Sequence, residues 1–401
     1  MFGLVVLLVG VAQAQESLNV RLIGSCDTPG AANCVAVSGT HAYVMTEGGG
    51  LRVISVADPA HPNEVGCYYP LGLAEGVAVS GDYACVAVFP PGLRVVSIAD
   101  PSNPVEVGYY DTPGGAVGVA VKGSYAYVAD PDSGLRVISV ADPAHPVEVG
   151  YCDTPGRALA VAVFGNYAYI ADEDSGLRVI SIADPALPVE VGSCDVPGRA
   201  FGVDADGDYA YATDNGACMW VVSVADPAHP VKVGFCGLPG ASACGVAVSG
   251  SYVHVADDIS GLRIISVADP ALPTEVGYYR TGFAHGVSVF GDYTYVVDYR
   301  GGLQILQFYG AGVDEVPSAG VRAASRIPSV ARGVMMLGTV DGRQNTGHRA
   351  ELLDITGRKV AELRPGANDV SRLAPGVYFV RPEPQAASRR PSAVTKVVIT
   401  R

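Results

Sequence analysis

The 401 residues are 49% apolar and 16% charged, with 50 Gly and 28 Pro, and no collagen-like Gly period or long polar tail is present. That mixture suits many short buried strands joined by tight turns. The formal charge of −14 is unevenly divided: residues 310–401 hold 14 Lys+Arg and 8 Asp+Glu, leaving 12 basic against 32 acidic residues before them. So acidic a main region argues against nucleic acid as its partner, because phosphate contacts need clustered Lys and Arg. It favours cations or neutral ligands such as sugars, on what is otherwise an acidic soluble surface.

The chain opens with an apolar run, Phe2 to Val11, closed by Ala12-Gln13-Ala14. This run is too short to span a bilayer and ends in an Ala-x-Ala site, so residues 1–14 read as a signal peptide cut after Ala14. The usual positive start is missing, which leaves room for an initiator upstream. No Cys follows the cut, which argues against a lipoprotein. No other stretch reaches the length of a transmembrane helix.

From residue 15 the chain repeats itself. The stretch Gly134-Leu135-Arg136-Val137-Ile138-Ser139-Val140-Ala141-Asp142-Pro143 recurs, and its Asp-Pro pair falls at Asp58, Asp100, Asp142, Asp184, Asp226 and Asp269, at spacings of 42, 42, 42, 42 and 43. A seventh copy beginning at Gly302-Leu303 lacks the Asp-Pro. Within one unit four strand-like pieces stand out: Gly118 to Val121, Tyr125 to Asp130, Gly134 to Val140, and Val147 to Cys152. Each is rich in Val, Ile and Tyr and bounded by Gly, Pro, Asp or Ser. Adjacent apolar residues such as Val137-Ile138 require cover on both faces of the sheet. Sheets stacked face to face supply it.

Four strands in about 42 residues is the arithmetic of a β-propeller blade. The first strand begins near 35, 76, 118, 160, 202, 245 and 286, and the third near 51, 93, 135, 177, 219, 262 and 303. The fourth begins near 63, 105, 147, 189, 231 and 274, one copy short. Val20 to Gly30 matches Val147 to Gly156 in pattern, so the N-terminal strand is expected to complete the last blade. The fold class that follows is all-β: a seven-bladed β-propeller over 15–309, closed by an N-terminal strand that removes the exposed edges of an open stack. The repeated Leu-Arg-Val-Ile-Ser-Val-Ala-Asp-Pro-x-x-Pro-Val-Glu-Val-Gly resembles the LVIVD repeat of bacteria and archaea, a family taken to form propellers and without one established activity.

Ala, Ser, Pro and Val over 310–332 read as a linker. Beyond it, 333–401 carries Glu351 to Val360 with a Thr356-Gly357 turn, Leu373 to Val380, and a terminal Lys396-Val397-Val398-Ile399. These pieces resemble the C-terminal sorting domain of type IX secretion substrates, a small β-sandwich. That resemblance implies contact with the secretion machinery and a secreted or outer-cell-surface location in a Gram-negative-type bacterium.

Nine Cys are scattered, and Cys26, Cys152, Cys194 and Cys236 share one repeat position with Tyr69, Tyr110 and Tyr279 in other copies. Equivalent sites in successive units lie beyond bridging distance, so these read as small buried residues. No Cys-x-x-Cys or His-x-x-x-His spacing points to zinc. The loops from outer strand to next inner strand, and from second to third strand, share one face, and only the first kind varies in length. That marks a binding side. At the entry to the inner strands stand Asn33, Glu75, Val117, Leu159, Phe201, Cys244 and His285, expected to ring the channel mouth. Arg157 and Arg199 lie two residues before Leu159 and Phe201. Asn33, Glu75, Arg157, Arg199 and His285 are therefore candidate ligand-binding residues, against the plainer reading that the repeats have drifted. The recurring Asp130, Asp172, Asp214, Asp257 and Asp298 are expected to bond backbone N–H groups. Asp172-Glu173-Asp174 and Asp204-Ala205-Asp206-Gly207-Asp208 have some features of calcium loops, which makes Asp172 and Asp174 candidate ligands should calcium be bound. No catalytic motif is present. These features lead to an exported binding or adhesion module for an extracellular protein or glycan, with a secreted polysaccharide hydrolase or lyase as the rival and a structural envelope component as a third reading.

Overall fold

A computed structural model describes residues 17–310 and, beyond them, only the backbone of short strands between 330 and 399. The expected signal peptide, nearly all of the linker and most of 333–401 lie outside the described residues. The first compact unit ends at Ala311 and the second begins at Gly312. No helix occurs among the described residues, so none is long and apolar enough to cross a membrane.

The first unit is a seven-bladed propeller. In its third blade Gly118–Lys122 pairs with Tyr125–Asp130, which pairs with Gly134–Ser139, which pairs with Val147–Cys152, all antiparallel. The inner strands of blades 1 to 7 are Ala31–Ser38, Leu73–Ser80, Gly118–Lys122, Ala160–Phe164, Ala200–Asp206, Gly245–Ser249 and Ala284–Phe290. Each touches the inner strand of the next blade, and the seventh touches the first. Leu135, Val137 and Ile138 are all fully buried because neighbouring blades cover both faces of the sheet.

Ring closure follows the strand count. Val20–Cys26 pairs antiparallel with Gly302–Phe308, from Val20 opposite Phe308 to Cys26 opposite Leu303. The register slips between Leu22 and Gly24, just as it slips around Val149 in blade 3, so Gly24 corresponds to Gly150. Ser17–Leu18 adds a further short strand outside Thr274–Tyr279 of blade 6.

The glycine in the middle of each outer strand, as in Val147-Glu148-Val149-Gly150, has a steric cause. A Cβ on Gly24, Gly66, Gly108, Gly150, Gly192 or Gly234 would collide with the carbonyl oxygen of Pro59, Pro101, Pro143, Pro185, Pro227 or Pro270, the proline of the next blade's Asp-Pro corner. Blade 7 has no such corner, and Gly277 of blade 6 faces Leu18 and Phe308 there instead. The N-terminal segment thus supplies blade 7's outer strand and also fills the place of its missing corner. The corners themselves are local: Asp142 accepts from the Ala144 N–H at 3.1 Å, and His145 Nδ1 lies 2.9 Å from the same carboxyl group.

Two recurring contacts explain most of the repeat's charges. Arg52, Arg136, Arg178 and Arg263 reach across to Glu64, Glu148, Glu190 and Glu275 on the outer strand. Where the arginine is replaced, the glutamate goes too: Trp220 lies beneath Lys232 in blade 5, and in blade 7 Gln304 accompanies Leu22. Losing one partner alone would leave a buried charge unpaired. The recurring Asp residues tie the two loop types of one face together. Asp130 accepts from Gly114 N–H, Asp172 from Gly156, Asp257 from Gly240 and Asp298 from Phe283, at 2.6–2.9 Å.

Most second strands place a Tyr against an Ala of the following blade, as Tyr169 lies with Ala210 and Tyr295 with Ala42. Between blades 6 and 7 both are replaced: His254 Nδ1 lies 3.0 Å from Thr294 Oγ1, with each residue almost fully buried. Burial pushes the His254 imidazole down to about 4. Between pH 6.5 and 4 the unfolded chain therefore binds a proton that the folded one refuses, so stability falls as pH drops through that window. The loss amounts to about 3 kcal/mol at 1.36 kcal/mol per pKa unit. Asp204 and Asp257, raised by burial to about 6, act with the opposite sign between 3.8 and 6. The His254→Tyr/Thr294→Ala variant keeps those two carboxyls. Relative to wild type, its stability in urea titrations should improve steadily from pH 6.5 to 4, whereas a parallel pH dependence would contradict the assignment.

In the second unit Lys359–Leu363, Ala350–Leu353, Gly376–Pro382 and Thr395–Ile399 form a four-stranded antiparallel sheet, and Val330–Ala331, Val334–Leu337 and Gly366–Asp369 form a three-stranded one. The β-sandwich expected of 333–401 otherwise falls outside the described residues.

Candidate functional site at the channel mouth

The inner strands begin in two ways. In blades 3, 4 and 6 pairing starts cleanly at Gly118, Ala160 and Gly245. In blades 1, 2, 5 and 7 it starts earlier, at Ala31, Leu73, Ala200 and Ala284, and the register then slips by one residue. The extra residues are Asn33, Glu75, Phe201 and His285. These starts correct the expected strand entries at 35, 76, 202 and 286, because a bulge lengthens the strand without breaking its ladder. A β-bulge also re-aims the side chain it carries.

Three of the four bulged residues are polar and sit in blades 7, 1 and 2, which are neighbours once the ring closes. Asn33 Nδ2 donates to Ala74 O at 3.1 Å and to Glu75 Oε2 at 3.3 Å. The Asn33 Oδ1 atom is buried and has no hydrogen-bond partner. Burial first, and then the charge of Glu47, raise the Glu75 carboxyl above the usual range. Glu47, at the end of blade 1's second strand, accepts from the Tyr299 hydroxyl of blade 7 at 2.9 Å. The Tyr299 ring lies 5.2 Å from that of His285. Glu75, Asn33, Glu47, Tyr299 and His285 thus line one sector of the mouth across three blades.

Beside this sector the chain departs from its own pattern. Four of the other inter-blade loops read Asp-Thr-Pro-Gly or Asp-Val-Pro-Gly, and those before blades 6 and 7 read Gly237-Leu238-Pro239-Gly240 and Arg280-Thr281-Gly282-Phe283, but between blades 1 and 2 the loop is Tyr69-Pro70-Leu71-Gly72-Leu73. The register corrects one equivalence here. Tyr68 stands opposite Leu51 as Cys152 stands opposite Leu135, so Tyr68 takes the cysteine place and Tyr69 takes the place of Asp153. Arg136 donates to Asp153 in blade 3; in blade 1 Arg52 Nη2 donates to the Tyr69 hydroxyl at 2.9 Å and lies over its ring. Tyr69, Leu71 and Leu73 are 59%, 88% and 51% exposed.

The remaining candidates lie elsewhere on the same face. Arg199 is held by Glu173 at 3.3 Å and Asp174 at 3.2 Å, while Arg157 is exposed. Asp172 is fully buried and accepts from Thr154 Oγ1 at 2.6 Å and Gly156 N–H at 2.9 Å. Asp172 thus anchors the loop, and Asp174 binds Arg199. No group of three or more His, Cys, Asp or Glu fit to hold a metal is present among the described residues. All nine cysteines are free.

Below the mouth runs a channel of about 440 Å³, lined mostly by Val and Ala, with Ser288 of blade 7 and, as its one charged lining residue, Asp204 of blade 5. Asp204 accepts from the Ala205 and Val248 N–H groups at 2.9 and 2.8 Å, capping donors on the open inner edge. Asp206 and Asp208 are exposed in the turn beyond it.

Sequence reasoning missed Glu47, Tyr299 and the Tyr69–Leu73 loop. A signal was present: Thr46 and Val88 stand where other blades carry the loop-tying Asp, so the hairpins of blades 1 and 2 were free to change.

The sequence pattern of the LVIVD repeat matches residues 29–69, 71–112, 113–154, 155–196, 197–237, 240–281 and 282–307. No curated protein matches the chain. Among solved structures, the WD40 β-propeller domain of Doa1 aligns with a TM-score of 0.61 at 10% identity, covering 72% of this chain and 97% of that one. The computationally designed Ika8 protein aligns with a TM-score of 0.55 at 8% identity, covering 71% of this chain and 99% of that one. At such identities these likenesses establish the fold alone.

Proposed function

The chain belongs to the LVIVD repeat family, and from that premise we propose that it is an exported binding module that engages an extracellular protein or glycan at the blade 7–1–2 sector of the channel mouth. The observation that carries this reading is the placement of Asn33, Glu75 and His285 on β-bulges of adjoining blades, since a repeat protein gains a specific site where its units stop being alike. Export rests on the leader-like residues 1–14. Delivery to the secretion machinery and display on the cell surface rest on the sorting-domain resemblance of 333–401.

The test is a screen of the full chain on glycan and peptide arrays, followed by titration of each hit against Glu75→Gln and His285→Ala. A hydrogen bond to a charged group contributes about 1.5–3 kcal/mol, so Glu75→Gln should weaken the hit roughly tenfold or more without turnover of the ligand. Affinity that is unchanged in both variants would refute the site.

One observation favours the rival reading. A carboxyl raised beside a second carboxylate, as Glu75 is beside Glu47, is the arrangement a general acid uses on a glycosidic bond. That reading requires Glu75→Gln to abolish release of reducing sugar while polysaccharide still binds.

A further inference from the structure

We propose that the loop Tyr69–Leu73, together with Glu47 and Glu75, is a docking surface for a protein segment carrying a Lys or Arg next to an apolar side chain. This inference rests on the reading that the loop-bearing face binds, and it names the chemistry of the partner.

The apolar half of the surface is built and fixed. Among the described residues no other inter-blade loop exposes a large apolar side chain; the corresponding apolar residues Val117, Leu159, Val196, Leu238 and Phe283 are buried or half-buried. A Cβ on Gly50 would meet the backbone of Tyr68 and Tyr69, and one on Gly72, at φ +127°, would meet Pro90, so hairpins on both sides hold the loop. Tyr69 is fixed from below by Arg52. A surface ordered before its partner arrives avoids the entropy of ordering it during binding. Leu71, 88% exposed at the tip, is the apolar anchor.

The polar half calls for a cation. Glu64, Glu148, Glu190 and Glu275 each have an arginine, whereas Glu47 and Glu75 form no ion pair. Glu47 receives the Tyr299 hydroxyl, and Glu75 receives an amide from Asn33, whose own Oδ1 is buried without a donor. Apart from the His285 ring and the Arg300 guanidinium, which lies over Phe283, the donors of the sector are spent on its own acceptors, so the unpaired carboxylates Glu47 and Glu75 suit an ammonium or guanidinium. With 32 acidic against 12 basic residues before position 310, the surrounding field draws basic partners toward it.

The experiment selects a random peptide library on the full chain and titrates the selected peptides by fluorescence anisotropy against wild type, Leu71→Ser and Glu47→Gln/Glu75→Gln. These substitutions fall on exposed or half-buried side chains, and matched melting temperatures establish that each variant is folded. The expected result is enrichment of Lys or Arg beside Leu, Ile, Phe or Trp. Binding should weaken at least tenfold in both variants and decline as salt rises from about 50 to 500 mM. Selected peptides without basic residues that still lose affinity in Leu71→Ser overturn the cationic partner and leave the binding face standing. Peptides indifferent to every variant overturn both. An empty selection, with a soluble oligosaccharide such as xylohexaose bound in a manner sensitive to Glu75→Gln, overturns the inference in favour of a glycan.

Discussion

Removal of residues 17–26 should eliminate cooperative unfolding of the propeller or lower its melting temperature by more than about 15 °C. The deleted piece holds the fully buried Val20, the outer strand paired with Gly302–Phe308, and the plug that Leu18 forms against Gly277. Burying a valine contributes about 2 kcal/mol and each strand hydrogen bond about 1 kcal/mol. The sum approaches the whole 5–15 kcal/mol by which a folded domain is stable. Differential scanning calorimetry of the truncated protein measures it. A sharp transition within a few degrees of wild type would mean that blade 7 holds without its borrowed strand.

The second large effect is expected from one methyl group. A Cβ at Gly150 would collide with Pro185 O and come within 2.8 Å of Pro188 Cδ, so Gly150→Ala must push two blades apart. Overpacking of this kind costs roughly 1–3 kcal/mol, which in a domain of this size lowers the melting temperature by about 2–4 °C per kcal/mol. Gly237 ends the outer strand of blade 5, and a Cβ there would meet nothing within 4 Å. Gly237→Ala is the control and should melt within about 1 °C of wild type, given the ±0.5 kcal/mol typical of surface changes. Equal melting temperatures for the two variants would show that the glycine is not there to let the blades approach.

The architecture could be read from the sequence because its causes are repeated. Seven copies of a two-faced apolar strand leave few folds that cover both faces, and the count of fourth strands, one short, points to Val20 as the start of the missing one. The repeated carboxylates were also legible, since a residue present in nearly every blade serves the blade. The site was legible only in part. Asn33, Glu75 and His285 stood out as polar departures at equivalent places, yet a linear chain hides that blades 7 and 2 both flank blade 1. That adjacency exists only after the ring closes, and it is what brings Glu47 to Tyr299 across 252 positions of sequence. The bulges were equally hidden, because an extra residue in a strand looks like a longer loop. Tyr69 was misplaced by one position for the same reason: the Tyr68-Tyr69 pair gives no clue to which tyrosine takes the cysteine place until the ladder fixes it.

Fold and site alike require blade 7 to meet blade 1 through the N-terminal strand, and amide hydrogen exchange of the full chain, followed by mass spectrometry, reads that pairing directly. The account predicts that peptides covering Val20–Cys26 exchange as slowly as those covering Gly302–Phe308 and are released together with them in one cooperative opening. Exchange of 20–26 at the rate of an unstructured peptide, while the other blades stay protected, would contradict it.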